Sequence, residues 1–137
     1  MRVRTFRPQD EPEVDALWRT VFPESPPWKE SNADIRRKLA VQPELFLVAE
    51  DDGSIVGTAM AGYDGHRGWV HLLAVLPGLR RRGIGRALME EAQRLLAALG
   101  CPKLNLQVRG INRGVVAFYE KLGFTVEDRL SLGKRLD

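Results

Sequence analysis

The chain has 137 residues and a net charge of +3, with 44% hydrophobic and 28% charged residues. That length fits one domain over residues 1–137, and the balance excludes a disordered or collagen-like chain. One cysteine, Cys101, rules out an internal disulfide, and neither a signal-like apolar core nor a run near the roughly 20 residues of a membrane span is present, so a cytoplasmic protein without a membrane partner is expected.

Met1 to Arg7 alternates and reads as a first strand. Asp10 stands where a helix N-cap would, ahead of a stripe of Val14, Leu17, Trp18 and Val21. Pro23, Pro26 and Pro27 stop that helix and lead through Trp28 to a second one, from Ser31 or Asn32, expected to bury Ile35, Leu39 and Val41. Leu45 to Glu50 and Ile55 to Tyr63 are strand-length apolar runs joined by the hairpin signal Asp52-Gly53. A second turn, Asp64 to Gly68, precedes Trp69 to Val75, whose apolar run predicts a central strand covered on both faces. A helix follows from Ile84 to Leu99, with Gly100 as its stop. Lys103 to Arg109 alternates as a further strand, Asn112 caps a last helix that ends at Leu122-Gly123, and Phe124 onward reads as a terminal strand or strand pair. The expected fold is α/β of the α+β kind, with strands in series followed by strand–helix–strand–helix–strand.

The segment Leu73-Ala74-Val75-Leu76-Pro77-Gly78-Leu79-Arg80-Arg81-Arg82-Gly83-Ile84-Gly85-Arg86 carries the chemistry. A strand runs through a glycine-containing turn into a helix whose first N–H groups have no intrahelical partner. The helix dipole adds positive character there, Gly83 and Gly85 let a phosphate approach the backbone, and four arginines supply countercharge. Two linked phosphates fit such a site. The dinucleotide fingerprint fails because Leu88 stands at its third glycine, and no G-K-[ST] of a P-loop is present. The arginine cluster contains no stacking aromatic, so no nucleic-acid partner is expected.

Arg80-x-x-Gly83-x-Gly85 after Val75-x-Pro77 resembles the cofactor motif of the GNAT superfamily of N-acetyltransferases. Asn112-x-x-x-x-x-Phe118-Tyr119-Glu120-Lys121-Leu122-Gly123-Phe124 resembles that family's second motif, with Val115 where alanine is usual. At finer scale, Phe46 to Glu50, Gly62 to Gly68, Gly100 to Lys103 and Leu130 to Leu136 resemble the YpeA-type bacterial acetyltransferases. The resemblance implies a mixed, mostly antiparallel sheet of about six to seven strands flanked by about four helices, with two splayed parallel strands holding acetyl-CoA. It implies that the backbone of Leu73, Ala74 and Val75 meets the pantetheine arm. Arg80, Arg81, Arg82, Gly83, Ile84, Gly85 and Arg86 would take the pyrophosphate, and Asn112 and Tyr119 would complete the cofactor site. Coenzyme A would be the product, and no metal is implied.

In that family an amine attacks the thioester directly, in a ternary complex. An alkylamine with a pKa of about 10.4 must first lose a proton, and the departing sulfur benefits from an acid. Tyr119 matches the family tyrosine that supplies this proton or orients the sulfur; alternatively it only packs beside Phe118. Gln107 stands where relatives acting on protein N-termini carry a glutamate, and Trp69 where histone-type relatives carry one. His71, at the position of a histidine in serotonin-type relatives, is the candidate base, with a water-relayed path as the alternative. Trp28, Tyr63, Asp64, Trp69 and Gln107 are candidates for the acceptor site, a small-molecule amine being favoured over a protein lysine or N-terminus. A module that holds acetyl-CoA without turnover is the other reading, and a homodimer is possible in this family.

Overall fold

The Asp52-Gly53 pair turns the chain through two left-handed residues, φ +51° and +77°, and so closes a hairpin between the two long apolar runs. In the computed structural model, which describes residues 1–23, 31–109 and 112–137, these runs are β2 (Phe46–Asp51) and β3 (Ser54–Tyr63). With β1 (Arg2–Thr5), β4 (Gly68–Val75) and β5 (Leu104–Asn105) they form a sheet in chain order. The first three pairings are antiparallel and β4–β5 is parallel. The expected mixed, mostly antiparallel sheet is therefore present, with five strands among the described residues rather than six to seven.

The described residues divide into two compact units, Met1–Gln107 and Val108–Asp137. In the first, α1 (Glu11–Val21) and α2 (Ser31–Leu39) follow β1, and α3 (Ile84–Ala98) follows β4. Of the predicted stripe, α1 buries Val14, Leu17 and Trp18 against Phe6, Phe46 and Val48 and half-buries Val21, with Phe6 stacked on Phe46 at 4.4 Å. Burial of each such side chain contributes roughly 1.5–3 kcal/mol. The other face receives α3. A Cβ added to Gly57 would stand 3.0 Å from Leu88 and 3.1 Å from Ile84, so the run of small residues Gly57, Ala59 and Ala61 lets this helix lie close.

Asp10 does not cap α1 with its side chain. Arg4 donates to both its oxygens at 2.8 and 2.9 Å, and the Arg7 N–H donates at 2.7 Å. Burial alone would raise this carboxyl, but Arg4 and the Arg7 amide outweigh it and hold it below the usual aspartate range. In α2, Ile35 is buried as expected, whereas Leu39 and Val41 are exposed. The buried helix position three residues after Ile35 is Lys38, and burial lowers its ammonium's pKa. At the chain turn beyond α2, the Gln42 carboxamide clamps the Tyr63 backbone, accepting at 2.8 Å and donating at 3.0 Å.

Three strand expectations need correction. β4 is covered on both faces, by α1 and α3, only in part, because His71 is exposed. The strand expected over Lys103 to Arg109 is ordered as a ladder only at Leu104–Asn105. Residues 124–137 carry no strand, and Val126, Leu130, Leu132 and Leu136 are exposed. Alternation makes a segment fit for a ladder, but a strand exists only where a partner supplies the other half of its hydrogen bonds. The second unit holds α4 (Arg113–Lys121), which stops at Gly123 with φ +96°.

Candidate active site

β4 uses its two edges differently. Toward β3 it pairs from Gly68 to Val75, but the register shifts by one residue: Met60 faces His71, whereas Thr58 faces Ala74. The extra residue lies at Leu72–Leu73, and Leu72 adopts a left-handed φ of +52°. This is a β-bulge in β4.

The bulge reverses which way the backbone points. The Gly68 N–H donates to Lys103 at 2.8 Å, on the β5 side. Alternation then directs the backbone groups of Trp69 and His71 to β3. Beyond the bulge the Leu76 N–H donates to Val56 on β3 at 2.9 Å, so Ala74 shares that direction and Leu73 and Val75 face the β5 side. The simple alternation Trp69–His71–Leu73 does not survive the bulge. By register, Ala74 shares a face with His71, and its buried side chain joins the α1-side core.

On the β5 side the ladder has only two pairs, Gly68 with Leu104 and Trp69 with Asn105. From Val70 to Val75 no described strand lies on that edge. The parallel ladder thus ends with β5 itself, at Asn105, and the backbone of Leu73 and Val75 faces the same side of β4 beyond that end. A strand edge with outward amide and carbonyl groups can receive an extended chain of amides, as a further strand would.

β4 leads into the turn Pro77–Leu79 and then the arginine loop. Arg81 and Gly83 both take left-handed backbone, φ +69° and +81°. Gly83 is the N-cap of α3, with no side-chain cap bond, and no acidic residue lies in the first turn. The first intrahelical bond is that of the Ala87 N–H to Gly83 at 3.0 Å, which leaves the N–H groups of Ile84, Gly85 and Arg86 at the helix start. Ile84 is buried and anchors that start to the sheet, whereas Arg80, Arg81, Arg82 and Arg86 are exposed. Arg86 shares its charge with Glu90 at 3.6 Å.

Before the bulge, Trp69 and His71 stack with ring centroids 6.2 Å apart and planes 4° from parallel. The Trp69 indole also bonds the Asp64 carboxylate, which is held below its usual range mainly by the Arg67 and His66 N–H groups. The Tyr63 hydroxyl donates to Gly65 at 3.3 Å, within the same turn. Gln107 is exposed two residues beyond the end of β5. Trp28 lies outside the described residues.

The model of the acetyltransferase (GNAT) family matches residues 12–124. The chain belongs to the GNAT acetyltransferases. An acetyltransferase of Yersinia enterocolitica, YE1169, is 48% identical over 136 residues, covering 99% of this chain and 96% of the relative. A solved structure from Agrobacterium tumefaciens str. C58, also named an acetyltransferase, superposes with a TM-score of 0.81 at 28% identity, covering 98% of this chain and 99% of that one. An aminoglycoside N-acetyltransferase solved with CoA shares the fold at a TM-score of 0.79 and 20% identity, over 99% and 95% of the two chains. As a GNAT protein the chain is an acyltransferase, as its two motifs imply.

The remaining GNAT-motif residues lie in the second unit. Asn112 is the N-cap of α4, its side-chain oxygen accepting from the Val115 N–H at 3.3 Å. Tyr119 is buried, with edge-on aromatic contacts to Phe118 at 5.1 Å and Phe124 at 5.6 Å. Burial pushes its phenol up to about 12, so at neutral pH it holds its proton. Sequence reasoning placed Trp18 in the buried stripe of the first helix but missed the bulge, Thr58, and the hydrogen bonds that join Trp18 and Thr58 to it. The available signal was slight: one threonine in a strand otherwise built of apolar and small residues.

Proposed function

We propose that the protein is an acetyl-CoA-dependent N-acetyltransferase acting on a primary amine of a small molecule. The observation that carries this reading is the edge of β4 beyond the end of β5, where the bulge turns the backbone of Leu73 and Val75 to the β5 side. The amides of a pantetheine arm match that edge, and a pyrophosphate matches the N–H groups at the start of α3 with Arg80, Arg81 and Arg82 around it. The aminoglycoside enzyme of the same fold that holds CoA supports the cofactor and the favoured acceptor class.

In this reading the neutral amine attacks the thioester carbonyl. A C–N bond forms, the C–S bond breaks, and the amine's surplus proton passes to His71, directly or through water. Tyr119 is assigned to the departing sulfur. With its phenol near 12, full transfer to a thiolate of ordinary pKa about 8.5 would be uphill by roughly 5 kcal/mol, so its role is hydrogen-bond donation that orients and stabilises the sulfur. Gln107 carries no basic group, which favours a small amine over a protein N-terminus.

Calorimetric titration with acetyl-CoA, with NAD and ATP as controls, tests the reading. Selective binding followed by thiol release with an amine panel supports it. Folded protein that ignores acetyl-CoA overturns it.

A further inference from the structure

The β4 bulge is held from behind by a buried relay. The Trp18 indole N–H, on α1, donates to the Thr58 hydroxyl on β3 at 2.9 Å. That hydroxyl donates to the carbonyl of Leu72 at 2.9 Å. Thr58 is fully buried and Trp18 is 4% exposed. Leu72 is the residue with the left-handed φ, which a leucine adopts only under local constraint. Its carbonyl lies where the ladder register breaks, so the partner strand's regular pairing is interrupted there. Thr58 stands opposite Ala74, the first residue paired after the break.

A hydroxyl can accept and donate at once, and a buried carbonyl left without a donor is costly. Trp18 is itself immobilised, stacked on Phe46 at 6.0 Å, so it fixes the direction in which the Thr58 proton points. We propose that Thr58, aligned by Trp18, is a positioning residue: it pins the Leu72 carbonyl and thereby sets the bulge that turns Leu73 and Val75 toward the opened edge. Its consequence for cofactor binding rests on the reading of that edge as the pantetheine site. The pinning itself does not.

Thr58→Val keeps the shape and removes the hydroxyl, Thr58→Ser restores it, and Trp18→Phe removes the indole donor together with part of the buried ring. Amide NMR of Leu73 and Val75, free and with acetyl-CoA, reads the bulge directly, and calorimetry reads affinity. In Thr58→Val these amides should shift and exchange faster, and acetyl-CoA affinity should fall about tenfold, the worth of one buried hydrogen bond. Thr58→Ser should return both toward wild type, and Trp18→Phe should move the same amides by less. If Thr58→Val does not fold, Trp18→Phe and Thr58→Ser carry the test. A variant that loses stability while the Leu73 and Val75 amides and the affinity stay unchanged overturns the proposal. Wild-type protein that ignores acetyl-CoA, with bulge amides that still respond to the variants, rejects the pantetheine reading and leaves the pinning standing.

Discussion

The two edges of β4 are built from the same residues under the same rules, yet one is closed and the other open. Toward β3 the strand pairs along its whole length and tolerates one bulge. Toward β5 it pairs at two residues and stops. The closed edge is fixed by its ladder, and the open one leaves the backbone of Leu73 and Val75 on the side where the pantetheine arm is proposed to bind. A binding edge on a strand is exact only when the strand's other edge is fixed, which is why the bulge and its buried support sit on the closed side.

Gly85→Trp should break the open side most severely. A bulky side chain at the start of α3 would occupy the phosphate's place, and acetyl-CoA affinity should fall by about a thousandfold or more. Retained binding in calorimetry would sink the loop assignment.

Asp10→Asn tests the far end of the sheet, where Arg4 of β1, separated from β4 by β2 and β3, holds this carboxylate. Loss of the charge opposite Arg4, whose side chain is 9% exposed, should lower stability by about 3 kcal/mol in urea unfolding while cofactor affinity holds. Because the folded Asp10 carboxyl is depressed, its contribution is present above the ordinary aspartate value of about 3.9 and is lost as pH falls through the lower folded value. Wild type and variant should therefore converge in strongly acid solution. A gap that stays constant from neutral pH downward would assign the loss to packing instead.

Two substitutions probe the proposed chemistry. His71→Ala should cost about a hundredfold in turnover and flatten the acidic limb of the pH–rate profile. An unaltered limb would leave proton removal to water. Tyr119→Phe should lower turnover about thirtyfold with acetyl-CoA affinity nearly unchanged, and equal turnover would reduce Tyr119 to a packing residue.

The smallest expected effect joins the two sides. An added Cβ in Gly57→Ala would lie 2.9 Å from the Ala74 carbonyl and 3.1 Å from Ile84. It should destabilise by about 2 kcal/mol and push the start of α3 outward, with a modest loss of affinity. Unchanged stability would mean that β3 and α3 have slack the structure does not suggest.

Local chemistry was legible in the sequence. Asp52-Gly53 named its hairpin, because only left-handed backbone closes so short a turn. Val14, Leu17 and Trp18 named the buried stripe of α1. Gly83 and the residues after it named the start of α3, since a helix start needs no distant residue to present its N–H groups. Ladders were legible only as capacity: Lys103 to Arg109 and the segment after Phe124 alternate well, yet pairing belongs to two segments and cannot be read from one. The same reason hid the working feature of β4. Its residues promise an ordinary strand, and nothing in Leu72 or Leu73 announces a bulge. Only the packing of α1 on the sheet, which brings Trp18 to Thr58 and Thr58 to the Leu72 carbonyl, decides where the strand's direction reverses and therefore which amides face the opening.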